Sequence, residues 1–96
     1  MSYSATFLPK ALQELLDAWE WYEDRQLGLG DRFELYLYRK VNTILRNPEH
    51  YECKQNMYRE VKIDTFPYLI IYKIDKEKHQ ILIVSVFHTS RNVVRK

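Results

Sequence analysis

The chain has 96 residues, of which 46% are apolar and 15% aromatic, and its formal net charge at pH 7 is +2. A chain of this length and composition buries one core and is not disordered, so we expect a single domain over residues 1–96. So small a net charge gives no general attraction to nucleic acid, and we expect no direct specific DNA binding.

The first predicted elements are a short strand and an amphipathic helix. Residues 2–8 alternate between polar and apolar, which is the period of a half-buried strand. Pro9 suits the first turn of a helix. The apolar residues that follow recur at spacings of three and four: Leu12, Leu15, Leu16, Trp19 and Tyr22. The other face of this helix is predicted to be solvated: Gln13, Glu14, Asp17, Glu20 and Glu23.

A second helix follows after a tight turn. Gly28 and Gly30 can stop a helix and Asp31 can cap the next one, so residues 28–31 predict the turn of a helical hairpin. One face of the second helix is apolar, and Asn47-Pro48 ends it: Phe33, Leu37, Val41 and Ile44, widened by Leu35, Tyr38 and Leu45. Two helices with such wide apolar stripes need a third surface to cover them.

The second half of the sequence predicts that surface, a sheet. A polar loop (49–56) precedes three strand-like runs, at 57–64, 66–75 and 80–88. The gapless apolar stretches in the last two runs indicate strands that are covered on both faces, by the helices on one side and by a partner on the other. We therefore predict an α+β fold: an N-terminal strand and an antiparallel helical hairpin, packed on a three- to four-stranded, mainly antiparallel sheet.

Several short motifs together resemble the RelE/ParE toxin superfamily along nearly the whole chain. They are Trp21-Tyr22-Glu23, the segment 28–33, Asn47-Pro48, the segment 58–61, the segment 66–72 and the segment 88–92. The resemblance implies a compact growth-inhibiting toxin of a bacterial toxin–antitoxin pair, of the kind associated with plasmid stabilization. It also implies a helical hairpin on an antiparallel sheet, and a co-encoded antitoxin that binds and neutralises the toxin.

One motif bears on the mode of action. Nuclease members of the superfamily typically carry an arginine just before the motif that ends here in Tyr72, and this chain has Pro67-Tyr68-Leu69 at that place. The Phe66-Pro67-Tyr68 version resembles the ParE branch, whose members poison DNA gyrase by binding it. The resemblance thus favours a binding toxin without a catalytic site or cofactor.

Two alternatives stay open. If the chain is instead a ribosome-dependent mRNA endonuclease, His88, Arg91 and Arg59 are the candidate catalytic residues, because cleavage needs an acid or base and cations. Structural roles compete with these: His88 can simply end a strand, and Arg59 can pair with Glu23 or Asp24 on the helix. The chain can also be a non-toxic orphan relative, since residues 92–96 depart from the usual ending of the family.

The remaining predictions concern partners and location. Exposed apolar and aromatic side chains on the helices predict association with an antitoxin or as a homodimer, and the partner-binding candidates there are Leu35, Tyr36, Tyr38 and Trp21. Arg95 is a further candidate, either in a basic patch for an acidic partner, with Arg91, Lys96, Lys73 and Lys62, or in a solvated tail. His50 and His79 lie in polar loops with no second ligand at metal-ligand spacing, and Cys53 is a lone loop cysteine, so we expect no metal. The lone Cys53, the absence of an apolar run of about 20 residues and the lack of a signal-peptide pattern predict a cytoplasmic protein without a membrane partner.

Overall fold

The elements of the chain follow the predicted order. In a computed structural model, which describes residues 2–54 and 57–90, these are β1 (Ser4–Phe7), α1 (Pro9–Arg25), α2 (Leu29–Arg46), β2 (Arg59–Lys62), β3 (Tyr68–Asp75) and β4 (Gln80–His88). The two helices pack on one face of the sheet, which confirms the α+β class and the helical hairpin. Neither α1 nor α2, the helices of the described part of the chain, is long and apolar enough to cross a membrane.

The sheet has the strand order β1-β4-β3-β2 and is mixed. The meander of the second half is antiparallel, as predicted, with β3 between β2 and β4. The N-terminal strand β1 adds itself to the other edge, parallel to β4, from Ser4 opposite Gln80 to Phe7 opposite Ile83. β4 carries a bulge at Val84, because Ile71 pairs with Ser85 whereas Tyr72 pairs with Ile83.

The core lies between the hairpin and the sheet. The α2 face predicted from the sequence is confirmed, since Phe33, Leu37, Val41 and Ile44 are all buried. The apolar face predicted for α1 is only partly correct, because the buried face is rotated away from two of the predicted leucines. Its buried residues are Ala11, Leu15, Ala18 and Tyr22, whereas Leu12 is 44% and Leu16 52% exposed. Alanines at the contact allow the helix to lie close to the sheet, which turns the larger leucines toward the side of the hairpin.

Glu23, which the sequence predicted to be solvated, instead caps the second helix of the hairpin. Glu23 accepts hydrogen bonds from the backbone N–H groups of Gly28 (2.8 Å) and Gly30 (2.9 Å), which are otherwise unpaired donors at the start of α2. The predicted cap by Asp31 is therefore wrong: its carboxylate accepts a bond from Trp19 Nε1 at 3.0 Å. Gly28, at φ +89°, makes the turn between the helices.

Candidate functional site

The helices leave the other face of the sheet uncovered within the described residues. Strand register places three cross-strand pairs there: Leu69 with Phe87, Ile71 with Ser85, and Lys73 with Leu82. Glu60 and Lys62 of β2 continue two of these rows beside Ile71 and Leu69. We call the surface formed by Leu69, Ile71, Lys73, Leu82, Val84 and Phe87 the open face. All six of these side chains are half-buried, so the open face is an apolar surface with lysines rather than a fully solvated one.

Two adjoining pockets lie along the open face. The larger, of about 740 Å³, has an apolar floor of Ile71, Val84 and Phe87, and Lys10 and Lys54 are among its polar walls. The smaller, of about 470 Å³, lies toward the turn between β3 and β4 and includes Lys73 and Leu82 in its lining. The exposed Cys53 borders both pockets. The polar walls of the larger pocket also include Glu52 and Glu60, and Lys10 and Lys54 are paired with Glu14 (2.9 Å) and Glu52 (3.5 Å). A groove with an apolar floor and walls of both charges suits the contact of an apolar protein segment.

Glu14 fixes α1 to the edge of the open face. Its Oε1 accepts hydrogen bonds from the Ser85 hydroxyl (2.8 Å) and from the Val86 backbone N–H (2.9 Å). Its Oε2 lies 2.9 Å from Lys10 Nζ, and the same Nζ donates to Ser85 Oγ at 3.2 Å. Because β1 pairs only with residues 80–83 of β4, the carboxylate takes the place of a neighbouring strand beyond that point.

A second group of contacts anchors the loop before β2. Arg59 Nη1 donates to the Tyr51 carbonyl at 2.6 Å, and the Tyr72 hydroxyl donates to the Pro48 carbonyl at 2.7 Å. Burial raises the pKa of Tyr72 to about 12, and the nearby Arg59 charge acts in the opposite direction. The predicted ion pair of Arg59 with Glu23 or Asp24 is wrong, because Arg59 binds the loop while Glu23 binds the start of α2.

Removing the Tyr72 hydroxyl is expected to weaken this anchor. Tyr72→Phe leaves the Pro48 carbonyl without its donor, so the free energy of unfolding at pH 8 should fall by about 1 kcal/mol. Since the phenol pKa is higher in the folded than in the unfolded chain, the unfolded state loses its proton first and native stability declines above pH 10. Denaturant titrations should thus show the advantage of the unmodified chain over the variant shrinking between pH 9 and 11. A constant difference over that range would contradict the assignment.

The candidate nuclease residues do not come together in the described part of the chain. His88 ends β4 opposite Tyr68, with the two rings 4.8 Å apart, and its Nδ1 accepts a bond from the Ser90 N–H at 3.0 Å. Arg59 lies on β2, which β3 separates from β4, and it pairs with Tyr72. Tyr72 is four residues along β3 from Tyr68, the partner of His88. Strand geometry puts the Cα atoms of Arg59 and His88 roughly 16 Å apart. Arg91 lies outside the described residues, so its role beside His88 stays a prediction.

The candidate partner-binding residues lie on different sides of the hairpin. Leu35 (49% exposed) and Tyr38 (40%) face solvent, whereas Tyr36 is half-buried, with its ring 5.7 Å from that of Phe66. Trp21 is 37% exposed, and the Arg25 guanidinium stacks on its ring at 3.4 Å. Arg95 lies outside the described residues.

Sequence reasoning did not identify the residues of the open face as a site. The gapless apolar runs indicated that both faces of the strands are covered, but the register and the bulge decide which side chains lie on which face. Lys10 and Lys54 could not be placed there at all, because they come from α1 and from the loop before β2. Within residues 2–54 and 57–90, no three His, Cys, Asp or Glu side chains are grouped closely enough to hold a metal ion.

Comparisons with known proteins agree with this fold. The family model described as the ParE toxin of the type II toxin–antitoxin system parDE matches residues 5–93. Among solved structures, the chromosomal ParDE TA system of P. aeruginosa is similar, with a TM-score of 0.77 and 12% identity over 92% of this chain and 97% of that chain. A mutant of the E. coli toxin RelE in the free state has a TM-score of 0.71 and 22% identity, over 98% of this chain and 90% of that one.

The intact E. coli RelBE toxin–antitoxin complex is a further structural relative, with a TM-score of 0.64 and 24% identity over 93% of this chain and 99% of that chain. No curated protein matches the sequence. At these identities the likeness to solved structures establishes the fold.

Proposed function

The chain belongs to the ParE toxin family of type II toxin–antitoxin systems, and from this premise we propose that it inhibits growth by binding a protein target through the open face. DNA gyrase is the target that its resemblance to the ParE branch favours. The observation that carries this proposal is the chemistry of the open face, where apolar side chains from two strands form continuous rows between polar walls of both charges. Such a surface resembles the core and rim of a protein interface.

The separation of the candidate catalytic groups also supports binding over cleavage. RNA cleavage needs an acid or base and cations that converge on one phosphate. Arg59 and His88 occupy distant corners of the sheet, and the Arg59 guanidinium is held by the Tyr51 carbonyl. In the neighbourhood where nuclease relatives typically carry an arginine, this chain has Pro67-Tyr68-Leu69 and no cation.

We further propose that a co-encoded antitoxin neutralises the chain in the cytoplasm. The ParDE and RelBE relatives are toxin–antitoxin systems, and the apolar pockets of the open face offer a surface that an antitoxin segment can cover. An antitoxin that covers the open face would exclude the target from it. Neutralisation then needs no change in the fold of the toxin.

Charging the open face is expected to abolish inhibition of the target. Phe87→Asp introduces a carboxylate among the apolar side chains of the larger pocket. Losing one central aromatic contact costs about 2 kcal/mol of binding, so the concentration that half-inhibits gyrase supercoiling should rise about 30-fold or more. Leu27→Asp is the matched control, because Leu27 is 90% exposed in the turn of the hairpin. Circular dichroism should show both variants folded.

The competing functions give different results in the same experiment. Equal inhibition by Phe87→Asp and by the unmodified chain would remove the open face from the mechanism. Absence of any effect on supercoiling, together with cleaved mRNA in a translating extract, would favour the endonuclease. A chain that affects neither process and does not slow growth would be a non-toxic relative.

A further inference from the structure

The outer surface of the helical hairpin carries an exposed apolar seam. The Trp19–Asp31 hydrogen bond sets the register of the two antiparallel helices. One helical turn away from this pair, on the side opposite the loop that joins the helices, the register brings Leu16 level with Leu35. One helical turn further, it brings Leu12 level with Tyr38. All four side chains are between 40% and 52% exposed. We call these four residues the hairpin seam.

The two helices that flank the seam carry opposite charges on their outward crests. On α1 the crest is acidic, with carboxylates at spacings of three and four: Asp17, Glu20 and Asp24. On α2 it is basic, with arginines two turns apart: Arg32, Arg39 and Arg46. All six residues are exposed, and none makes a salt bridge within the described part of the chain.

This pattern of acidic crest, apolar seam and basic crest is complementary to itself. A twofold axis parallel to the helices lays α2 of one copy over α1 of the other, so Arg32 at the start of each α2 meets the Asp17 and Glu20 carboxylates of the other copy, once on each side of the joined seams. Arg39 and Arg46 lie level with residues near 11 and 4, beyond the acidic part of α1. A twofold axis perpendicular to the helices, in the plane of the interface, would stack α1 on α1 and bring like charges together. The charges therefore select the first arrangement.

We propose that the chain forms a homodimer in which two hairpins pair through their seams as a four-helix bundle. Leu12, Leu16, Leu35 and Tyr38 of each copy fill the centre of the bundle. Arg32 of one copy lies level with Asp17 and Glu20 of the other, because Arg32 follows Asp31, which is level with Trp19. The helices cover the opposite side of the sheet from the open face, so the dimer leaves both open faces accessible.

Sedimentation velocity of the purified chain tests this proposal. The unmodified protein should sediment as a species with twice the 11.8 kDa mass of one chain. Leu16→Glu would place two carboxylates in the centre of the bundle, so this variant should sediment as a monomer. Leu27→Glu adds the same charge outside the seam and should remain dimeric. Far-UV circular dichroism checks that the helices of each variant are intact.

A charge exchange provides a second test that does not depend on the seam leucines. Arg32→Glu should weaken the dimer, and adding Asp17→Arg should restore it, since the new arginine of one copy then faces the new glutamate of the other. Failure of the double variant to recover would overturn the proposed arrangement. An unmodified chain that is monomeric at about 100 μM, a concentration that would reveal even weak pairing, would overturn the dimer itself.

The result is separable from that of the proposed function. Inhibition by Phe87→Asp reports on the open face, and the mass of Leu16→Glu reports on the hairpin seam. A monomeric chain with a functional open face would refute the dimer alone.

Discussion

Replacing Phe33 by alanine is expected to lower the free energy of unfolding by about 3–5 kcal/mol. The ring is fully buried, and its centroid lies 5.4 Å from that of Tyr22, 5.3 Å from Phe66 and 5.0 Å from Tyr68. These partners come from α1, from the loop before β3 and from β3 itself. Truncation therefore leaves a cavity where the hairpin meets the sheet, and no single neighbour can close it.

Denaturant unfolding followed by circular dichroism measures this effect. Tyr36→Ala is the matched comparison, because Tyr36 lies on the same helix but is only half-buried and touches just Phe66 of the cluster. Its loss should be clearly smaller than that of Phe33→Ala. Equal losses for the two variants would mean that the aromatic cluster does not join the layers as described.

Gly30→Ala is the second substitution with a large expected effect. A Cβ atom there would lie 2.6 Å from the Trp19 carbonyl oxygen and 2.9 Å from both Glu23 Oε1 and Trp19 Nε1. Because the nearest of these atoms belongs to the backbone of α1, the helices must move apart. We expect a loss of about 2–3 kcal/mol, from strain and from weakening of the Glu23 cap.

Gly28 provides the control for this substitution. It has φ +89° and nothing within 4 Å of an added Cβ, so its requirement is conformational rather than steric. Asparagine tolerates this region of backbone space, and Gly28→Asn should cost less than about 1 kcal/mol. If Gly28→Asn were the more damaging change, the close approach of α1 and α2 at Gly30 would not be the dominant constraint on the hairpin.

The sequence predicted the elements well, because most of them follow from local periodicity. The α2 face was correct since its core positions are large apolar residues. The α1 face was mis-centred because Ala11 and Ala18 contribute to the contact through their small size, which hydrophobic spacing does not register. The parallel pairing of β1 with β4 joins residues more than 70 positions apart, and no local pattern specifies such a pairing.

The site was harder to predict than the fold. Glu14 looked like part of a solvated acidic face, yet its partners Ser85 and Val86 lie at the other end of the chain. The open face depends on strand register and on the bulge at Val84, both of which are properties of the assembled sheet. Part of the hairpin seam was visible in the sequence. Leu35 and Tyr38 widen the apolar face of α2 beyond its core positions, and a face that wide could not be buried completely.

The measurement that tests the central claim most directly is a translating extract supplied with the purified chain, in which mRNA ends are mapped while gyrase supercoiling is assayed in parallel. A toxin that acts by binding through the open face should leave mRNA intact and inhibit supercoiling, and Phe87→Asp should lose that inhibition. Cleavage at defined codon positions that disappears in the combined His88→Ala and Arg91→Ala variant would contradict the account and establish a ribosome-dependent nuclease.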